Sequence, residues 1–308
     1  MGNKTLSHPM TVDEQIENLK RLHLIIDDEE DAREKLNRIS YYRLVKAYSS
    51  SLKNRKSGKY NKGISFDDIY QMYEFDNKLR YILFPEFEKI EITLRCRITN
   101  HFSVKYGSLG YLDSANFDGN YDDLRTRIDR SIENASKSSP SIKHFIEDYE
   151  NNTIPLRAAI EVFSFGTLAL FYKTMKTEDQ KEIAKLYYKG NSYYLSSWFE
   201  SLSHARNVCA HYGRLYQYNF SRLPMIFTPD DSDVENNNRL YRILCCMRYL
   251  LKEYGEWPGI VADIKDLIDE YPGIIKPSGL GLSDGWEIKL MDQEPRNLIY
   301  YQMMSQNL

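Results

Sequence analysis

Apolar residues recur along most of this chain at spacings of three and four, the rhythm of helices that bury one face. Ile16, Leu19, Leu22 and Leu24 follow Thr11, Asp13 and Glu14, which together read as a helix start. A second helix is expected from about Glu29, carrying Ala32, Leu36 and Ile39 into Tyr42. A Gly-, Ser- and Asn-containing basic loop at 53–63 then interrupts the pattern. The strongest signal spans 66–104: Ile69, Met72, Tyr73, Asp76, Leu79 and Arg80 set its early rhythm, and Ile90, Leu94, Ile98 and Phe102 continue it. Pro85 lies between these halves and is expected to kink or break the helix.

Residues 107–121 are rich in Gly, Asn and Asp and read as loop. Further helices are expected at 121–136, 141–151, 157–173 and 178–188. Another follows, with Leu195, Trp198, Phe199, Leu202, Ala205, Val208 and Cys209 as its buried stripe. Pro224, Pro229 and many acids and asparagines make 220–238 a connecting loop, and helices near 239–254 and 260–270 close the pattern. The stretch after Tyr271 is irregular, with a short strand or extended arm expected at 287–291. Alternating β-type patterns are otherwise scarce and no repeats occur, so the expected class is all-α. The expected organisation is an N-terminal helical module with its basic loop (1–63), a helical core (64–271) and a C-terminal tail (272–308).

Composition narrows the function classes. A hydrophobic content of 42% over 308 residues suffices for a packed core. No apolar run approaches the length of a membrane span and no charged-then-apolar leader is visible, so a cytoplasmic protein is expected. The net charge of −3 excludes a general nucleic-acid glue, so any RNA contact must use local patches. One candidate is the loop with Lys53, Arg55, Lys56, Lys59 and Lys62, either a solvated connector or a phosphate-gripping surface. Arg43 and Lys46 lie three apart just before it and can share its role, while Tyr41 and Tyr42 either dock the module or stack on a base. Most of the 25 tyrosines are expected at the rim of the core. Cys96, Cys209, Cys245 and Cys246 lack metal-type spacing and read as buried thiols.

The densest chemistry sits at 201–216, SLSHARNVCAHYGRLY. Arginine offers a permanent charge and a planar donor fork for phosphate oxygens, and histidine moves protons near neutral pH. Asn207 and His211 are four apart and share a helix face; His211 and Arg214 are three apart. Arg206 and His211 are five apart, about 140° around an ideal helix. They converge on one phosphate only if the arginine wraps around or a second subunit completes the site. Gly213 is expected to end the helix just past His211.

Arg206-Asn207-Val208-Cys209-Ala210-His211 resembles the R-x4-H signature of HEPN ribonucleases, and the longer run resembles the Abi family of phage-abortive-infection proteins, AbiD- and AbiF-like. The resemblance extends to Tyr41-Tyr42-Arg43-Leu44, to the long helix FDDIYQMYEFDNKLRYILFPEFEKIEITLRCRI, to IPLRAAIEVFSFGTLALFY and to GLGLSDGW in the tail. It covers about 11–286 and departs at Gln217, where such proteins often carry asparagine. It implies a HEPN-type helical bundle that forms a homodimer and cleaves RNA in phage defence without a metal or cofactor. Arg206, Asn207 and His211 would be catalytic; Arg214, Arg43, Lys46, Lys53, Arg55, Lys56 and Lys59 are expected on the RNA from their own charge and spacing. A small structured RNA that restrains the protein is a further implied partner. The alternatives are an inactive RNA-binding scaffold and a protein-binding phage sensor.

Other signatures are set aside. Gly107-Ser108-Leu109-Gly110 and Gly279-Leu280-Gly281 lack the spacing of nucleophile or dinucleotide turns, and the six histidines are scattered, so no metal site is expected. Asp76–Arg80 and Glu91–Arg95 are each four apart on the long helix. They read as intrahelical ion pairs, or Glu91 or Arg95 lines a cleft facing the motif helix.

Overall fold

The computed structural model describes residues 8–149, 151, 153–226 and 237–291. It is all-α: among the described residues there is no β-strand, only isolated bridge pairs. The chain forms two compact units, one of Met1–Leu79 with Asp266–Lys276, the other of Arg80–Lys265 with Pro277–Leu308. The division falls inside the longest helix.

In the first unit, α1 (Val12–Arg21) starts at a reciprocal cap in which Thr11 and Glu14 satisfy each other's backbone N–H. Its buried Ile16 and Leu19 pack on Ala32 and Leu36 of α2 (Glu29–Arg38), which Asp28 caps. Two ion pairs reinforce the hairpin, Lys20–Glu29 at 2.6 Å and Arg33–Asp13 at 2.9 Å. Contrary to the expectation, α2 stops at Arg38: Ile39 is extended, and Tyr42–Lys46 forms a separate π-helical turn that buries Leu44 and Val45. Tyr48 then donates to buried Asp76 at 2.7 Å, and Ser49 bonds Tyr60 at 2.6 Å. These two tyrosines lie inside the core, deeper than the rim expected for most tyrosines.

The helix α3 (Phe66–Tyr106) runs on through Pro85, so of the kink or break expected there the break does not occur. The carbonyl that loses its donor belongs to Tyr81, which is 76% exposed, so water can replace the missing N–H. Leu83, Phe87 and Ile90 remain buried around it.

In the second unit, α4 (Tyr121–Ser136) packs on α7 (Phe165–Thr174), and α7 packs along α9 (Ser192–Ala210). Helix α7 is buried on nearly every side, through Phe165, Leu168, Ala169, Phe171 and Tyr172. The single helix expected at 157–173 is instead split into α6 (Leu156–Ala159), a tight turn at Ile160–Val162, extended Phe163 and α7. The cause is long-range: Arg95 of α3 takes the carbonyls of Ile160 and Phe163, and Ser164 caps α7 at the Thr167 N–H.

The remaining helices are α5 (Pro140–Asp148), α8 (Thr177–Ile183, continued by a π turn Ala184–Tyr188), α10 (Leu240–Leu250) and α11 (Trp257–Asp269). Where an extended arm was expected, the chain forms α12 (Trp286–Met291). Trp286 and Leu290 are buried one turn apart, and Trp257 and Arg248 donate to its last carbonyls. Cys209, Cys245 and Cys246 are buried free thiols as expected, but Cys96 is exposed. Part of the connecting segment expected at 220–238 lies outside the described residues.

The solvent-facing proline gives a test. Proline costs about 3 kcal/mol relative to alanine inside a helix. Pro85→Ala should therefore restore the helix bond to Tyr81 and raise the thermal midpoint by several degrees in a scanning-calorimetry comparison. An unchanged or lowered midpoint would mean that the surroundings need the proline's local geometry.

Candidate active site

Helix α9 carries the motif and ends where the sequence suggests, but for a different reason. His211 is the capping residue, and its N–H still bonds the Asn207 carbonyl at 3.0 Å. The next two N–H groups turn back: Tyr212 to Cys209 at 3.0 Å and Gly213 to Val208 at 2.7 Å. This pairing closes the helix and requires a left-handed residue at position 212. Tyr212 supplies it with φ +56°, a conformation that costs a side-chain-bearing residue roughly 1–2 kcal/mol. Gly213 is needed for space instead, since a Cβ there would sit 2.7 Å from Val208 Cγ1 and 2.9 Å from its carbonyl oxygen. Arg80 donates to the Gly213 carbonyl at 3.0 Å and holds the turn from α3.

Arg206 points to α3. Its Nη2 donates to Glu91 Oε2 at 2.8 Å and its Nη1 to Asn207 Oδ1 at 3.2 Å. Glu91 is buried and shares its other oxygen with Arg95 Nη2 at 3.1 Å. The Glu91–Arg95 pair expected from the spacing is present, and Glu91 also reaches Arg206 of the motif helix. The structure joins Arg206 to Asn207, while no hydrogen bond links Arg206 to His211. The His211 ring is exposed and makes no hydrogen bond or ion pair among the described residues. Asn207 is also exposed, on the same face.

Arg214 is half-buried and donates to the Gln217 carbonyl at 3.1 Å, so it braces the segment after the helix. Gln217 adopts φ +56°, which asparagine tolerates better than most residues. The departure from the family pattern thus falls on a backbone requirement. The Gln217 N–H bonds Gly279 O at 2.8 Å, and a Cβ on Gly279 would meet the Tyr216 ring at 2.0 Å. The tail's glycine motif therefore packs beneath the residues that follow His211. His204, one motif residue with no role foreseen, is held below the usual histidine value by burial and then by the charge of Arg222.

The residues Arg43, Lys46, Lys53, Arg55, Lys56 and Lys59 belong to the first unit, and Arg206, Asn207, His211 and Arg214 to the second. All six are exposed except Lys53, which lies half-buried over the Tyr60 ring at 4.4 Å.

One of the histidines read as scattered meets two carboxylates elsewhere in the second unit. His101, Asp179 and Glu182 place ligand-type atoms within 4.8 Å of one another. Asp179 is fully buried, and Lys105, Tyr106 (2.7 Å) and His101 (3.0 Å) already occupy its oxygens. The Lys105 ammonium supplies the countercharge, so the cluster works as an ion-pair network tying the end of α3 to the first turn of α8.

Residues 34–217 match the family model described as Abi-like protein, more than half of the 308 residues. The chain belongs to the Abi-like family. The matched range holds the Tyr41–Leu44 run, all of α3 and the motif helix, and runs on to Gln217; all of α1, the first residues of α2 and the tail glycines lie outside it. No curated protein and no solved structure matches the chain.

The buried network makes stability depend on acid. Burial raises the Asp179 carboxyl, but hydrogen bonds from Lys105, His101 and Tyr106 outweigh it and hold it below the usual carboxylate range. A depressed folded value means that this stabilisation is complete above the unfolded carboxylate's pKa and is lost as pH falls through the folded one. Asp179→Asn should be less stable than wild type at neutral pH, and the gap should close in the acid range below about pH 4. A constant gap across a denaturant series at several pH values would refute this account.

Proposed function

We propose that this Abi-like protein is a phage-defence endoribonuclease of HEPN type, cleaving RNA by attack of its own 2′-hydroxyl. The family supports a role in defence against phage. The observation that carries the enzymatic reading is the end of α9. There Arg206 is held by a buried carboxylate and an amide, and a solvent-facing His211 with no other partner sits just beyond. In the reaction, the 2′-oxygen bonds to phosphorus while the P–O5′ bond breaks. One histidine takes the 2′-hydroxyl proton and another donates a proton to the leaving 5′-oxygen. The products are a 2′,3′-cyclic phosphate and a 5′-hydroxyl.

Arg206 stabilises the charge that grows on the phosphorane oxygens. The Glu91–Arg95–Arg206 triad carries one net positive charge, which suits it to a phosphate. Asn207 orients Arg206 through the bond between them. Each chain supplies a single motif histidine in an exposed position, so the two proton transfers call for a homodimer that brings two His211 rings to one cleft. No step requires a metal ion.

A second reading has one observation in its favour. Arg206 is ion-paired to Glu91, as a purely structural arginine would be. In that case the chain is an RNA-binding scaffold without catalysis.

Substitution separates the two. Arg206→Ala should lower RNA cleavage by about 10²–10³-fold, and His211→Ala by about 10²–10⁴-fold, with EDTA without effect. Undiminished cleavage by His211→Ala, or activity abolished by EDTA, would sink the enzymatic reading. The composite site has its own check: excess His211→Ala protein mixed with wild type should cut activity more than dilution does. Full activity from a monomer in sedimentation runs would rule the shared cleft out.

A further inference from the structure

The first unit distributes its charges unevenly. On the α1–α2 hairpin four of the five cations are matched: Lys20 pairs with Glu29, Arg33 with Asp13, Lys35 with Asp31 and Arg38 with Glu34, while Arg21 bonds the Asn18 amide oxygen. On the segment that follows, Lys46, Lys53, Arg55, Lys56, Lys59 and Lys62 make no ion pair with any carboxylate among the described residues. Six unmatched cations within 17 residues are conspicuous in a chain of net charge −3.

They are not on a slack loop. Lys53 and Tyr60 form an antiparallel bridge, and Asn54 N–H bonds the Lys59 carbonyl at 2.9 Å. The Asn54 side chain accepts the N–H groups of Lys56 and Ser57 at 2.9 and 3.1 Å, and Gly58 takes the left-handed turn position at φ +68°. Tyr60 is buried beneath the turn and bonds Ser49. Arg55, Lys56, Lys59 and Lys62 are thereby presented outward on a braced turn. Lys53 is lowered by burial and then by the charge of Lys46, which places the π-helical turn beside this surface. That turn buries Leu44 and Val45 and leaves Lys46, Arg43 and Tyr42 outside, with Tyr42 81% exposed.

Holding like charges together without acids is unfavourable until a polyanion neutralises them. A braced turn also spends little order on binding. A flat ring beside an arginine adds what a bare polyanion site lacks, a platform for an unpaired base. We infer that the turn carrying Arg55, Lys56, Lys59 and Lys62, with Lys46 and Tyr42, is a docking surface for single-stranded RNA. The cations contact successive phosphates and Tyr42 stacks on a base. This surface belongs to the first unit and Arg206 and His211 to the second, and its role would stand in a chain without nuclease activity.

The test uses full-length protein carrying His211→Ala, so that binding is read without cleavage. A fluorescent single-stranded oligoribonucleotide is titrated by anisotropy from about 50 to about 300 mM potassium chloride. Replacing Arg55, Lys56, Lys59 and Lys62 together by glutamine should weaken binding at least tenfold at low salt. It should also flatten the log-affinity against log-salt slope by up to about 3, since each phosphate contact on a single strand contributes about 0.7. Tyr42→Ala should weaken binding about fivefold with the slope unchanged, the size of a lost base stack. These residues are exposed, so thermal midpoints should match the parent. Unchanged RNA affinity and slope in the quadruple variant would overturn the inference. So would a loss confined to phosphatidylserine vesicles, which would assign the turn to a lipid surface. Failure of the nuclease reading shows instead as uncleaved RNA in the otherwise wild-type protein, whatever the binding data show.

Discussion

One carboxylate shared by two arginines governs the larger unit. Glu91 gives one oxygen to Arg95 and the other to Arg206, and Arg95 also donates to the carbonyls of Ile160 and Phe163. All three charges are largely out of water, where an unpaired one costs about 3–5 kcal/mol. Removing Glu91 would strand both arginines, whereas removing either arginine leaves Glu91 paired with the other. The long helix, the motif helix and the break before α7 are therefore set by a single network. That network also decides how Arg206 is presented: as a fixed donor with one surplus positive charge behind it, not as a mobile surface side chain.

Local strain completes what the network begins. The left-handed Tyr212, the crowded Gly213 and the Arg80 bond to its carbonyl define where α9 ends. His211 sits on that end, outside the buried stripe and beyond the last helical turn. Such strain persists only where the surroundings enforce it. Here they do, through Tyr216 against Gly279 and Gln217 on its carbonyl. The glycines of the tail thus serve the geometry of the motif, although some sixty residues separate them.

Features decided within one helical turn were legible in the chain. The Thr11–Glu14 cap, the bounds of α4 and the stripe of α9 all follow from side chains that act on neighbours three or four positions away. The R-x4-H spacing was legible in the same way, and so was the cationic composition of the 53–62 turn. Some tyrosines are structural because their hydroxyls find buried partners, as Tyr48 does in Asp76 and Tyr111 in the Ile154 carbonyl.

What the sequence by itself determined was the all-α class, the order of helices and the cluster of chemistry around Arg206 and His211. The tertiary structure decided the rest. The helix expected at 157–173 was broken by an arginine some 65 residues upstream, α12 formed because Trp257 and Arg248 meet its carbonyls, and Pro85 was absorbed because its orphaned carbonyl faces water. The partner of Arg206 and the gathering of His101, Asp179 and Glu182 were settled in the same way. The reason is common to all of them. Periodicity and capping are written in neighbouring residues, whereas a buried polar group is satisfied by whichever distant atom the packing brings to it.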